Sequence, residues 1–501
     1  MYHPQRCLTI SLQFDPSLKS LLLKLRKLGN KNESKMRLIP VLGFLLTAVE
    51  GLRTGRGSPL LRPGISKHIN KVGKSTAAVF PDPQDKPFPK HNFLNANSTK
   101  FAVNGTAIPD VDFDVGESYA GPNEQSNLFF WFFPSPNKAA NKEILIWLNG
   151  GPGCSSFEGL LQEHGPFLWP PGTIKPVRNP WSWHILTSIV YVDQPGGTGF
   201  STGVPTITNE EELAAQFLGW WKNFVDTFGM QGYKVYISGE SYAGMYCPYI
   251  ANAMLNTNDT TYHQLSGMYL GDAVIGDNTQ LYQSIPMLRF VEYHSSLFPF
   301  NNTFLDKIRT TDAECGYSSL LDNHLVYPPI SHLPSALPEV SENGTVTEEC
   351  TSLWWWILEA ALRLNPCFDM YHITASCPRV SDVLGFLAGI DYVLEGKKRY
   401  FDRGDDGSGP SIIYALPSVI DKTQNVIIAH GQLDMVLPSN GSLLAIQNMT
   451  WGGKLGRVDC MNCTTPLRLG ICITLIRHRM RWARGRRLRV GVITSRRRAC
   501  R

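Results

Sequence analysis

Cysteine is scarce for the length of the chain, 11 in 501 residues, too few for a fold held together by a dense disulfide framework. No apolar run reaches the roughly 20 residues that a membrane-spanning helix needs, so no stable membrane insertion is expected. No internal repeat is visible, which excludes solenoids and propellers. Acids are absent from residues 465–501, which carry twelve Arg, while residues 1–35 carry seven Lys or Arg against Asp15 and Glu33. The whole chain is only +5, so the body between these ends is acidic by about twelve charges. The overall sign is therefore no argument for a nucleic-acid partner, and none is expected.

Several features point to an oxidising compartment. Met36 to Val49 has a charged start, a short apolar run and small residues after it, the build of a secretory signal. Its position implies that translation starts at Met36, with residues 1–35 an extension, 36–52 the signal peptide and 53–95 a linker or pro-segment rich in Gly, Pro, Lys and Ser. Glycosylation acceptors occur at Asn97, Asn104, Asn258, Asn301, Asn343, Asn440, Asn448 and Asn462. Cys315, Cys350, Cys367 and Cys377 lie close enough in sequence for two or more bridges, and they lack the tight spacing of a zinc site. Cys247 reads as a buried free thiol.

Short apolar runs at Leu128–Phe133, Ile144–Leu148, Ile189–Val192, Lys234–Ser238, Gly267–Leu270 and Val426–Ala429 read as buried strands. Residues 211–228 place Leu213, Phe217, Trp220, Trp221, Phe224 and Phe228 at helical spacing behind an acidic first turn, and a second helix is expected over 245–255. Strands alternating with helices predict an α/β fold, a mostly parallel sheet with helices on both faces. Residues 276–380 break the rhythm and read as an inserted cap. The domain spans 96–456, followed by an Arg-rich tail, 457–501, of doubtful origin.

Gly239-Glu240-Ser241-Tyr242-Ala243-Gly244 stands between a predicted strand and a predicted helix. There small residues let the chain turn sharply and present the Ser hydroxyl at a helix N-terminus. An earlier strand ends in Asn149-Gly150-Gly151-Pro152-Gly153-Cys154-Ser155-Ser156, where glycines let a backbone N–H approach a developing oxyanion.

These two segments, with Trp147-Leu148 ahead of the second, and Asp193-Gln194-Pro195-Gly196-Gly197-Thr198-Gly199-Phe200-Ser201 resemble the three signatures of the serine carboxypeptidase family, in family order. The resemblance implies an α/β-hydrolase fold and a secreted or vacuolar, lysosome-like location. The implied reaction is release of residues from peptide or protein C-termini through an acyl-enzyme, favoured at acid pH and needing no metal or organic cofactor. It makes Ser241 the nucleophile, the N–H groups of Gly151 and Tyr242 the oxyanion hole, and Asp434 the acid that orients a histidine. Asn149, Gly150, Glu163 and Glu240 would bind the substrate's terminal carboxylate, the two glutamic acids sharing a proton. Without the family, Asp434 is a strand-end acid and Glu163 a surface helix acid.

The chain departs from the family downstream. The expected Gly-His-Met-like motif is absent, His478 stands in unrelated Arg-rich sequence, and His430 reads as a structural neighbour on a strand, so no histidine is assigned. Two alternatives follow: a catalytically dead relative that binds peptide ends, and an acyltransferase on the same scaffold.

Overall fold

The computed structural model describes residues 93–108, 116–122, 128–170, 173–203, 206–276, 283–334, 347–375, 406–456 and the strand 471–476. All belong to one compact unit, residues 1–9 with 87–501; the other unit, 10–86, lies outside the described residues, and so do the signal-like segment, most of the linker and most of the Arg-rich tail.

One nine-stranded sheet organises this unit. Its strands are β1 (Ala102–Val103), β2 (Ser118–Pro122), β3 (Phe129–Phe133), β4 (Glu143–Leu148), β5 (Ser188–Asp193), β6 (Lys234–Glu240), β7 (Gln264–Gly271), β8 (Val426–Gly431) and β9 (Ile471–Ile476). They lie in the order β1-β2-β3-β5-β4-β6-β7-β8-β9. Pairing is antiparallel from β1 through β5 and parallel from β5 through β9, with Val426 opposite Ile471 at the last pair. The mostly parallel sheet expected from the alternation is present. Every residue of β5 is buried, as a strand covered on both faces requires.

The chain runs from β4 out to β5 and then returns to β6 on the other side of β4. Strand order thus reverses around β4, the point at which open α/β sheets generally place their ligand sites. Both glycine-rich motifs leave the sheet at this point, Asn149 after β4 and Ser241 after β6.

Helix α1 (Glu210–Phe228) buries the stripe seen in the sequence, with Trp220 and Trp221 fully enclosed and Phe224 edge-on to Phe130 at 5.3 Å. Asn209 caps it by accepting from Glu212 N at 2.8 Å, and Gly229, at φ 64°, ends it. Helix α2 (Ala243–Asn256) starts two residues earlier than expected because the nucleophile turn feeds directly into it. Helices α3 (Met287–Tyr293), α4 (Asn302–Glu314), α5 (Tyr317–His324) and α6 (Glu348–Leu364) follow β7, and a Cys315–Cys350 disulfide joins the end of α4 to the start of α6. Cys367 is also disulfide-bonded, and Cys247 is free and buried, as expected. Helices α7 (Ala415–Thr423) and α8 (Ser439–Asn448) flank β8.

Pro248 sits inside α2 and has no N–H to give to Gly244 O. The Ser411 hydroxyl, fully buried, donates to that carbonyl instead at 2.8 Å. We expect Ser411→Ala to cost about 1–3 kcal/mol, the penalty of an unsatisfied buried carbonyl, measured by urea unfolding. In a Pro248→Ala background the helix regains its own donor, and the cost of removing Ser411 should shrink; an unchanged cost would refute this account.

Candidate active site

The site is built where the β4 and β6 loops meet. Ser241 holds φ 55°, a left-handed conformation that a non-glycine residue keeps only when its surroundings enforce it. Three backbone bonds do so: Ser241 N donates to Gly271 O at 3.1 Å, and Ser241 O accepts from Gly244 N at 3.0 Å and Val274 N at 2.9 Å. The turn is therefore pinned to the end of β7 as well as to its own helix.

Close approach explains the glycines. A Cβ on Gly150 would lie 2.4 Å from Tyr242 N and 2.9 Å from Ser241 Cβ, and one on Gly244 would lie 2.2 Å from Val274 O. The Gly150-Gly151 loop thus lies directly against the turn that carries Ser241. Gly151 itself has φ 114°, and Tyr242 is the residue that precedes α2, at its N-cap.

Asn149 is buried and its amide has one orientation. Its Oδ1 accepts from Trp147 Nε1 at 2.6 Å and Gly159 N at 3.2 Å, so its Nδ2 faces Glu240 and donates to Oε1 at 2.8 Å. Glu163 lies on a single helical turn, Gly159–His164, and is hydrogen-bonded to Glu240. Burial, the charge of Glu158 and that of Asp272 push the Glu163 carboxyl up to about 7, against the hydrogen bond from Glu240. About a third of the Glu163 side chain (34%) still opens to solvent, which leaves a way in. Burial likewise raises Glu240, with Glu163 the next cause. Two carboxyls this close hold one proton between them far above ordinary acid pH. Sequence alone placed Glu163 with the other carboxylate-binding residues only through the family; the structure puts Glu163, Glu240 and Asn149 in one hydrogen-bonded group and Gly150 next to it.

His164 was not singled out by sequence. It is buried between Trp183, stacked at 4.1 Å, and the edge of Trp147, with Nδ1 against Tyr191 OH at 2.9 Å. Burial pushes it down to about 3, so the ring is a neutral wall behind Glu163. Asp193 was also missed as a single residue, although its motif was noticed. It is fully buried and accepts from Ser155 Oγ, Ser156 N and Phe200 N, each at 2.8 Å, tying two of the three motifs together.

Asp434 follows β8 and is buried. One oxygen accepts from Val436 N at 2.7 Å, while burial and the nearby charge of Asp272 raise its carboxyl well above the usual range. Asp272, at φ 42°, accepts from Gly431 N at 2.6 Å. Asp272, His430 and Asp434 present ligand atoms within 4.8 Å of one another, the arrangement of a metal cluster. The hydrogen bonds argue otherwise. His430 Nε2 faces Leu437 O and Nδ1 faces Ser442 Oγ at 3.0 Å, so neither nitrogen offers a free lone pair to a cation or a substrate proton. Burial lowers its proton affinity further. His430 is the structural neighbour that its strand position suggested.

The chain matches the serine carboxypeptidase family over residues 109–403. Similar curated proteins include a "probable serine carboxypeptidase" of Arthroderma benhamiae, 47% identical over 405 residues (72% of this chain and 75% of that protein). Another is the "serine-type carboxypeptidase F" of Aspergillus niger, 41% identical over 423 residues (77% and 78%). The chain belongs to the serine carboxypeptidase family. A solved prohormone-processing carboxypeptidase of Saccharomyces cerevisiae superposes with TM-score 0.55 at 22% identity, covering 75% of this chain and 91% of that one, and this likeness shows the fold, of α/β-hydrolase type.

The carboxyl pair should be visible directly. We expect a protonated-carboxyl infrared band that loses one component as pH rises through about 7, the value to which Glu163 is pushed, while Glu240 keeps its proton. Glu163→Gln should remove that transition; its persistence in the variant would assign it elsewhere.

Proposed function

We propose that this chain is a serine-type carboxypeptidase that hydrolyses the C-terminal bond of peptides or proteins through an acyl-enzyme on Ser241. The observation that carries the reading is the juxtaposition of the strained Ser241 turn, the Gly150-Gly151 loop and the Asn149–Glu240–Glu163 group. An endopeptidase or esterase needs the first two; only an enzyme for free peptide ends needs the third.

In this reading the Ser241 hydroxyl attacks the scissile carbonyl, and the oxyanion takes hydrogen bonds from Gly151 N–H and Tyr242 N–H. The C–N bond breaks, the amine leaves with a proton, and water hydrolyses the resulting Ser241 ester. The substrate's terminal carboxylate accepts from Asn149 Nδ2, from Gly150 N–H and from the proton held by Glu163 and Glu240. Two ionised glutamates would repel that carboxylate, so binding favours acid pH. Asp434 orients the base. His430 is a poor base because both ring nitrogens are engaged. β9 runs parallel to β8 with Ile476 opposite Gly431. No histidine is assigned as the base; His478, two residues later in the sequence, lies outside the described residues and is the next to substitute where activity is found.

Passage through the secretory pathway is part of the proposal. Asn97, Asn104, Asn258 and Asn301 are exposed, as acceptors must be, whereas Asn448 Oδ1 is taken by Leu333 N at 2.9 Å. No helix among the described residues is long and apolar enough to cross a membrane.

The test is release of the terminal residue from a blocked dipeptide at about pH 4–5. We expect Ser241→Ala to lose about three to six orders of magnitude in rate. KM should rise as pH increases through about 7, where Glu163 loses its proton, and Asn149→Ala should raise KM more than it lowers kcat. Correctly folded protein that binds peptide ends but never forms the Ser241 ester would identify a binding relative instead. Transfer of acyl groups from acyl-glucosides without peptide cleavage would identify an acyltransferase.

A further inference from the structure

Tyr242 has a second attachment that the reaction does not explain. Its hydroxyl donates to Asp406 Oδ2 at 2.6 Å, and Asp406 Oδ1 accepts from Ser408 N at 2.8 Å. Ser408 Oγ accepts from Glu210 N at 2.6 Å, and Gly407 N donates to Thr208 O at 3.0 Å. With Ser411 on Gly244 O and Tyr249 OH on Gly409 O at 2.6 Å, residues 406–411 strap the start of α1 to the start of α2, the helix that carries the nucleophile turn.

Glu210 sits against this strap. It is fully buried, and neither carboxyl oxygen has a hydrogen-bond partner of good geometry among the described residues. The groups that act on it are Asp406 first and then Glu211 of its own helix. Cys247 of α2 faces it, and Tyr242, Tyr249 and Tyr414 surround the same acids. None of these is a cation. A carboxyl buried without cation or donor stays there by keeping its proton, and Asp406 is the acceptor at hand. Burial accordingly holds Glu210 well above the ordinary range.

We infer that Glu210 is a buried carboxyl that keeps its proton against Asp406, and that through Asp406 and the Tyr242 hydroxyl it positions the Tyr242 N–H beside Ser241. The inference rests on the assignment of that N–H to the oxyanion hole. Glu210 touches no substrate; it acts through Asp406 and Tyr242. When its proton leaves, two adjacent carboxylates repel, the strap loosens at Asp406 and the N–H loses its fixed aim. An oxyanion donor works in the transition state, so the loss falls on kcat and spares KM.

The full chain is assayed on a blocked amino-acid ethyl ester, which has no free carboxylate and so removes the Glu163–Glu240 pair from the pH profile. Wild-type kcat should fall on the alkaline side, and Glu210→Gln, isosteric and permanently neutral, should retain it. Tyr242→Phe and Asp406→Ala should each lower kcat about tenfold at about pH 5, a fraction of the loss from deleting an oxyanion donor. The double variant should be no worse than either, because both cut the same bond. A second readout needs no activity: thermal unfolding of wild type and Glu210→Gln from about pH 4 to 8. The folded-state pKa of Glu210 is raised, so its stabilising proton is fully present below the unfolded value of about 4.5 and is lost as pH rises. Wild-type Tm should therefore fall relative to Glu210→Gln above that pH, and a flat difference overturns the protonated Glu210. The expected Tm slope with superimposable kcat profiles, or a Tyr242→Phe effect on KM alone, overturns the coupling to Tyr242. A wild type that hydrolyses no ester while the Tm slope is present overturns the hydrolase reading and Tyr242's role with it, and leaves the protonated Glu210 supported.

Discussion

Ser241 can face a substrate only because its backbone is held at φ 55° between two strand ends and a helix start. That constraint reaches outward through every loop around it. Gly271 and Val274 pin the turn from β7, so the segment after β7 cannot shift without moving the nucleophile. Gly150 and Gly244 have no room for a side chain, because the loops that supply the proposed oxyanion donors must touch the turn. Even Pro248, which would ordinarily weaken a helix, is accommodated by drawing Ser411 across to the carbonyl it leaves free. The strap, the crowded glycines and the Pro248 carbonyl all lie on the helix and loops that meet at this one strained residue.

A second theme is the handling of acid groups in an acidic body. Glu163, Glu240, Glu210, Asp193 and Asp434 are raised chiefly by burial, and no cation is among the causes acting on any of them. The protein handles this by two routes. Asp193 receives three donors and serves as a rigid junction between loops, whereas Glu163 and Glu240 pair with each other and keep a proton, which gives a surface able to donate to an incoming carboxylate. The buried histidines respond in the opposite sense: His164 and His184 are pushed down to about 3 and 4 by burial, so they stay neutral at the acid pH where that pair is protonated. Lowering pH thus changes the carboxyls while the aromatic wall beside Glu163 keeps its charge state.

The strands and the long helix were legible in the sequence because their signals are local: period-two or continuous apolar runs for β3 to β8, and a 3.6-residue stripe with an acidic first turn for α1. The nucleophile motif was legible for the same reason, since its strand, turn and helix are contiguous. What escaped notice was made by distance. Tyr242 and Asp406 are 164 residues apart, and Glu210 and Ser408 are 198 apart. Asp406 follows a Gly- and Asp-rich stretch that reads as solvated loop, and Glu210 reads as a helix-dipole acid in a first turn of three glutamates. Neither has a local feature that distinguishes a buried proton carrier from a surface charge. His164 escaped because one histidine beside an acid carries no pattern.

Recognition and chemistry are physically separable in this molecule. The proposed carboxylate-binding group draws on β4, β6 and one helical turn, with Trp147, Gly159 and Tyr191 behind it. The nucleophile turn is held by the ends of β6 and β7 and by its own helix. None of these contacts involves the sequence beyond β9, where the family's histidine motif is missing. A chain with an altered C-terminal end would therefore keep the Asn149–Glu240–Glu163 group and the strained serine. The proposed orienting acid is placed differently: Asp434 follows β8, the strand against which β9 pairs, so a change in that edge strand would reach Asp434 before it reached the Asn149–Glu240–Glu163 group.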